Sequence, residues 1–265
     1  MKVFISADIE GVAGSLNFQE CHNAESTYRK YADIMTREVA AACEGAFAAG
    51  AKEILVKDAH GLANNIDVEM LPKGVRLIRG FSGHPYGMAE GVDGGFDAAM
   101  FVGYHSAAGS PGNPMSHTIR GNMNHIRING RLASEFMLYS GAAALEGVPS
   151  VLLSGDKTLC DESRELVPGL ITVATKEGRG VTVITRTPAE VQEELRAAAE
   201  QAVRNCKNIV LPKLPEHYEV EISLKEHTHA YRASFFPGME LKDARTVVYR
   251  TDKLFDVLRM LRFVL

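Results

Sequence analysis

Two acids one residue apart, Asp8 and Glu10, stand at the end of a short apolar run, Val3-Phe-Ile5. In extended backbone, residues i and i+2 point to the same face, roughly 6.5–7 Å apart at Cα. Two carboxylates held beside a core at that spacing repel one another unless a cation lies between them. Gly11 and Gly14 follow at once, so the chain can turn away there. Further metal-binding groups stand after other apolar runs. Asp58 and His60 follow Glu53-Ile-Leu-Val-Lys57, and Tyr104-His105 follows Ala98-Ala-Met-Phe-Val-Gly103. Glu135 stands where a hairpin pattern gives way to a helical one. With Asp58 set aside, two imidazoles and three carboxylates make a nitrogen/oxygen donor set that needs no thiolate. One tetrahedral ion cannot use all five. Two divalent ions about 3.5–4 Å apart, bridged by a carboxylate, can.

Each of these residues also has an ordinary reading. Asp8 and Glu10 suit a strand-to-loop turn, and a histidine after a strand is commonly a hydrogen-bonded loop residue. Glu135 suits the first turn of a helix, where acids are favoured. Asp58 can be a ligand, an orienter of His60 or a helix cap. His117, in Met115-Ser-His117, is a candidate proton shuttle for a departing amine. His125, His217, His227 and His229 lack a strand-end setting and read as structural or surface groups. No G-x-S-x-G nucleophile turn, phosphate-cradling G-x-x-x-x-G-K-[ST] or strand-following G-x-G-x-x-G is present.

The elements that must position these groups alternate. The pattern predicts a strand at Val3–Ile5, a helix over about Ser26–Ala49 closed by Gly50, and strands at Glu53–Lys57, Val75–Arg79 and Ala98–Gly103. The Gly-rich stretch Gly80–Gly95 has no clear period. Asn129-Gly130 predicts a tight hairpin turn, and Ser134 a cap for a helix over about Glu135–Glu146. A strand is expected at Val151–Ser154, and Thr187-Pro-Ala-Glu190 opens a helix to about Asn205. This order implies an α/β fold with a mostly parallel sheet flanked by helices. After Lys207 the character changes. A linker with Pro212 and Pro215 precedes strands at Tyr218–Leu224 and Thr246–Tyr249 and a helix from about Asp252. The expected division is a metal-binding α/β domain over 1–206 and a smaller α+β unit over 207–265, which can serve oligomer contacts.

The 265 residues, 46% apolar, suffice for a large core. Net charge is −4 with no Lys/Arg cluster, which argues against nucleic acid and anionic membrane as partners. No apolar run of about 18 residues and no signal-type segment appears, so a cytoplasmic location is expected. Cys21, Cys43, Cys160 and Cys206 are widely spaced, which suits reduced, buried thiols.

Five blocks in this order and spacing resemble the zinc-dependent D-aminopeptidase family. They are Ser6-Ala-Asp-Ile-Glu-Gly11, Lys57-Asp-Ala-His-Gly61, Gly103-Tyr-His105, Met115-Ser-His117 and Asn129-Gly130 with Glu135. The resemblance implies two zinc ions per subunit on Asp8, Glu10, His60, His105 and Glu135, with Asp8 bridging, and a catalytic role for His117. It also implies a cytoplasmic aminopeptidase that releases N-terminal residues from short D-amino-acid peptides. A ring-like homodecamer with an internal chamber goes with it. Two rivals remain at this point. One is a dinuclear hydrolase of another amide or of a phosphoester, for which Arg120 or Arg131 offers a cation. The other is a non-catalytic, metal-stabilised binding protein.

Overall fold

The computed structural model describes residues 1–265. In chain order the first elements are β1 (Lys2–Ala7), α1 (Phe18–Cys21), α2 (Tyr28–Ala48), β2 (Glu53–Asp58), β3 (Val75–Ile78) and β4 (Ala98–Tyr104). The hairpin β5 (Met123–Ile128) and β6 (Arg131–Leu132) leads into α3 (Glu135–Leu145), β7 (Ser150–Asp156) and α4 (Lys157–Leu166). Then come β8 (Ile171–Arg179), β9 (Thr182–Thr185) and α5 (Pro188–Arg204). The last elements are β10 (Tyr218–Leu224), α6 (His227–Ala233), β11 (Met239–Leu241), β12 (Thr246–Thr251) and α7 (Leu254–Val264).

Seven strands form one sheet in the order β3-β2-β1-β4-β7-β8-β9. All neighbours are parallel except β8 and β9. Alternation along the strands sorts the core into two layers. Val3, Ile5, Met100 and Val102 face α2 and α5, whereas Phe4, Ala99 and Phe101 face α3 and a second sheet. That second sheet is antiparallel, ordered β11-β12-β10-β5-β6. The α/β architecture with helices on a mostly parallel sheet is therefore the one expected. No helix is long and apolar enough to cross a membrane.

Two features of this topology create the site. First, β1 is followed by β2 on one side and by β4 on the other, so the strand order reverses between β1 and β4. A crevice opens at the carboxyl ends of strands flanking such a switch point, which is where ligands bind in sheets of this kind. Second, the expected boundary at 206/207 is crossed by one sheet. β10, from the C-terminal side, pairs with β5, Val220 opposite Ile128 and Ile222 opposite Ile126. This pairing helps carry α7, packed on α3, β10 and β12, to the edge of the crevice.

Candidate metal centre

Asp8 and Glu10 lie just past β1 and His105 just past β4, so the switch point itself brings them together. His60 arrives from the adjoining end of β2, and Glu135 from the first turn of α3, capped by Ser134 through the Met137 N–H. His60 Nδ1 lies 3.3 Å from Asp8 Oδ1 and 2.9 Å from Glu10 Oε2. His105 Nε2 lies 3.4 Å from Asp8 Oδ2 and 3.2 Å from Glu135 Oε2. His117 Nε2 is 3.8 Å from Glu135 Oε1, and its ring stacks on that of His105 at 4.2 Å between centroids. All five proposed ligands and His117 thus meet in one place, and Asp8, Glu10, Glu135 and His105 are buried.

The three imidazoles are tethered in the same way. A nitrogen of each is within hydrogen-bond distance of a backbone carbonyl: His60 Nε2 of Cys21 at 2.8 Å, His105 Nδ1 of Ser106 at 3.0 Å, His117 Nδ1 of Met115 at 2.9 Å. A carbonyl only accepts, so each of those nitrogens carries the proton. The opposite nitrogen of each ring is thereby aimed at the carboxylates. Outer hydrogen bonds of this kind orient histidines that ligate metals. Glu10 Oε2 and His105 Nε2 are buried without a hydrogen bond of good geometry. Three carboxylates facing three imidazole nitrogens in a buried cluster suit divalent cations, so the residues fit a metal pair. The ligand atoms of Asp8, Glu10 and His105 lie within 4.8 Å of one another, as do those of His105, His117 and Glu135.

Neighbouring groups hold the donors in place. Asp58 does not join the cluster. It accepts from the Asn65 and Ile66 N–H groups at 2.6 and 2.9 Å and from Asn65 Nδ2, which also donates to the His60 carbonyl. Asp58 is therefore an orienter of the His60 turn. Asp156 accepts from Ser106 N and Oγ and caps α4, fixing the backbone beside His105. Buried Lys176 Nζ donates to the carbonyls of Glu10 and Ser15 at 2.5 and 2.7 Å and pins the loop after β1. Glycine is required at Gly11, where a Cβ would stand 1.8 Å from the Tyr104 carbonyl oxygen. The histidines read as structural lie outside: His125 faces Glu221 at 3.3 Å and His217 faces Asp252 at 2.6 Å. Arg131 turns to Glu165 and the Glu162 carbonyl, whereas Arg120 lines the cavity in front of the cluster. That cavity measures about 400 Å³ and is walled by Asp8, Glu10, His60, His117 and Glu135, with α7 also contributing.

The family model described as D-aminopeptidase, of the peptidase M55 group, matches residues 1–263. The chain belongs to the D-aminopeptidase family. The D-aminopeptidase of Bacillus subtilis (strain 168) is 31% identical to it over 249 residues, 94% of this chain and 90% of that protein. A solved structure, described as the Zn-dependent D-aminopeptidase DppA from Bacillus subtilis, a self-compartmentalizing protease, superposes with a TM-score of 0.93. It is 29% identical and covers all of this chain and 96% of that one.

The electrostatics of this family member's cluster follow from burial and mutual charge. Burial, with Glu10 beside it, raises the Asp8 carboxyl well above its ordinary value. Burial also pushes Glu10 and Glu135 upward, but the imidazoles outweigh it and hold both low, His60 for Glu10 and His105 for Glu135. In the same way burial opposes charge on His60 and His105, and the carboxylates overcome it, raising His105 to about 10. His117 goes the other way: burial and the neighbouring His105 lower it, so it stays neutral more readily. The carboxylates thus favour positive charge among them, and the His117 imidazole keeps its unprotonated, basic form more readily.

Proposed function

We propose that this chain is a dinuclear zinc aminopeptidase that releases N-terminal residues from short, D-amino-acid-containing peptides. The observation that carries the reading is the buried cluster, in which three tethered imidazoles face three carboxylates at a strand-order switch. Asp8, Glu10, His60, His105 and Glu135 would hold the metal pair. Asp8 presents Oδ1 to His60 and Oδ2 to His105, which supports it as the bridge. Bound zinc supplies Lewis acidity, bringing the pKa of a water toward neutrality and polarising the scissile carbonyl. The chain's own residues do the rest. His117 would take the proton of the attacking water at Nε2 and hand it to the departing amine. Its ring is fixed for this by the Met115 carbonyl, by the stack on His105 and by the edge of Phe18 at 5.5 Å. The small cavity admits a short peptide segment and excludes folded chains.

Preference for D-residues follows from the family and from the Bacillus subtilis relative's description. By the same extension from a self-compartmentalizing relative, the chain is a homo-oligomer, and we take it to be a decameric ring enclosing a chamber. Within it, residues 1–206 supply the donors and residues 207–265 the α7 wall and subunit contacts. Four buried free thiols support a cytoplasmic location. The test is a panel of short D- and L-peptides beside p-nitrophenyl phosphate, with and without chelator. Chelator-sensitive release of N-terminal D-residues is expected. Turnover of the phosphoester alone would overturn the reading.

A further inference from the structure

The cavity in front of the cluster has a charge pattern that the metal chemistry does not use. Its acids are Asp8, Glu10 and Glu135, and two arginines, Arg120 and Arg262, line the same space beside apolar side chains such as Phe81, Ile119 and Leu258. Neither guanidinium has a carboxylate within 4.0 Å or a side-chain hydrogen bond. The contrast is visible on α7 itself, where Arg259, three residues earlier, pairs with Asp256 at 2.8 Å. Arg262 stands beside a ring instead. Its guanidinium carbon lies 6.0 Å from the centre of Phe81, another lining residue, and Lys57 Nζ lies 4.0 Å from the same ring. Leu258, Leu261, Arg262 and Leu265 recur at helical spacing, so one stripe of α7 faces the cavity.

Arg120 is brought in by a strained turn. Ile119 has φ +64°, a conformation that a β-branched residue rarely adopts, and the Arg120 N–H closes the turn on the Thr118 carbonyl at 2.7 Å. The Ile119 N–H donates to Glu135 Oε1 at 2.6 Å, so the turn bearing Arg120 is fastened to the cluster itself.

We propose that Arg262 and Arg120 form a carboxylate subsite that binds the free C-terminus of the peptide, making di- and tripeptides with an unblocked C-terminus the substrate class. The guanidinium fork matches a carboxylate in two parallel hydrogen bonds. A cavity of about 400 Å³ that offers cations to one end of a peptide limits the chain to a few residues. The inference rests on the peptidase reading above.

The experiment compares kcat/KM for a dipeptide of the preferred series with that for its C-terminal amide, in the native oligomer and in the Arg120→Gln/Arg262→Gln double variant. The free acid should be favoured at least tenfold, mainly through KM, and the ratio should fall toward one in the double variant. Arg262→Lys keeps a charge but loses the fork, so it should give an intermediate ratio. A native ratio near one overturns the subsite while leaving the peptidase intact. So does an undiminished ratio in the double variant. Hydrolysis of neither form overturns the peptidase reading and the subsite with it.

Discussion

Each imidazole of the cluster is aimed by a main-chain carbonyl, and this explains what residue types can and cannot reveal. The residue types of the cluster and their strand-end positions are legible, because Asp8 and Glu10 stand together just past one apolar run and His60 and His105 follow two others. The tethers are backbone atoms of Cys21, Ser106 and Met115 and leave no trace in residue identity. Asp58 shows the same limit: its type suits a ligand, and only its bonds to Asn65 and Ile66 show it to be a support. His117→Gln is expected to keep its metal and its fold yet lose about 10²–10⁴-fold in kcat, the usual worth of a positioned acid–base group. Steady-state kinetics beside elemental analysis checks this, and retention of more than a tenth of the activity contradicts it.

The elements with strong local signals stand where the pattern puts them. The helix expected over Ser26–Ala49 is α2, Tyr28–Ala48, and the one opened by Thr187-Pro-Ala-Glu190 is α5, with Thr187 and Glu190 forming a capping box and Pro188 in the first turn. Asn129 and Gly130 both have positive φ, as a tight hairpin turn needs. The stretch 157–186 carries no such signal, so nothing in the sequence marks Thr175 and Lys176 as supports. β8 buries Thr175 and Lys176 side by side because its end reaches the loop after β1, so its polarity masks a core strand. The same loop is held on its other flank by Glu38 of α2, whose carboxylate accepts the Ala13 N–H at 2.9 Å. Burial pushes the Glu38 carboxyl up to about 8 from an ordinary 4.5, even though the Ala13 N–H and Lys176 pull it down. The native protein then keeps a proton that the unfolded chain releases between those values. Stability from this group is full below about 4.5 and is lost as pH rises through about 8. The ceiling on that loss is on the order of 5 kcal/mol. Urea midpoints between pH 5 and 8 should fall with rising pH, and Glu38→Gln should flatten the slope. An unchanged slope contradicts the assignment.

For the whole molecule, the second sheet matters as much as the first. β5 and β10 come from either side of the expected boundary at 206/207, and α7 joins the wall of a cavity whose donors lie more than a hundred residues earlier. Proline punctuation and a change of pattern marked the start of the C-terminal segment, but strand pairing between distant segments has no local signature. Large apolar side chains stay exposed on this segment, Phe235 and Phe263 at 70% and 74%, with Tyr231 and Phe235 in edge contact at 5.1 Å. Light scattering on the purified chain should report a mass well above 28.8 kDa, and a clean monomer would remove the chamber.

The central claim is that five side chains from distant parts of the chain hold a pair of zinc ions. Elemental analysis of the protein purified without chelator, beside a folded Asp8→Ala variant, tests it most directly. About two zinc per chain in the native protein and loss of most of it in the variant is the predicted result. A native protein that turns over peptides with no bound metal, or an Asp8→Ala variant that keeps both ions, would contradict it.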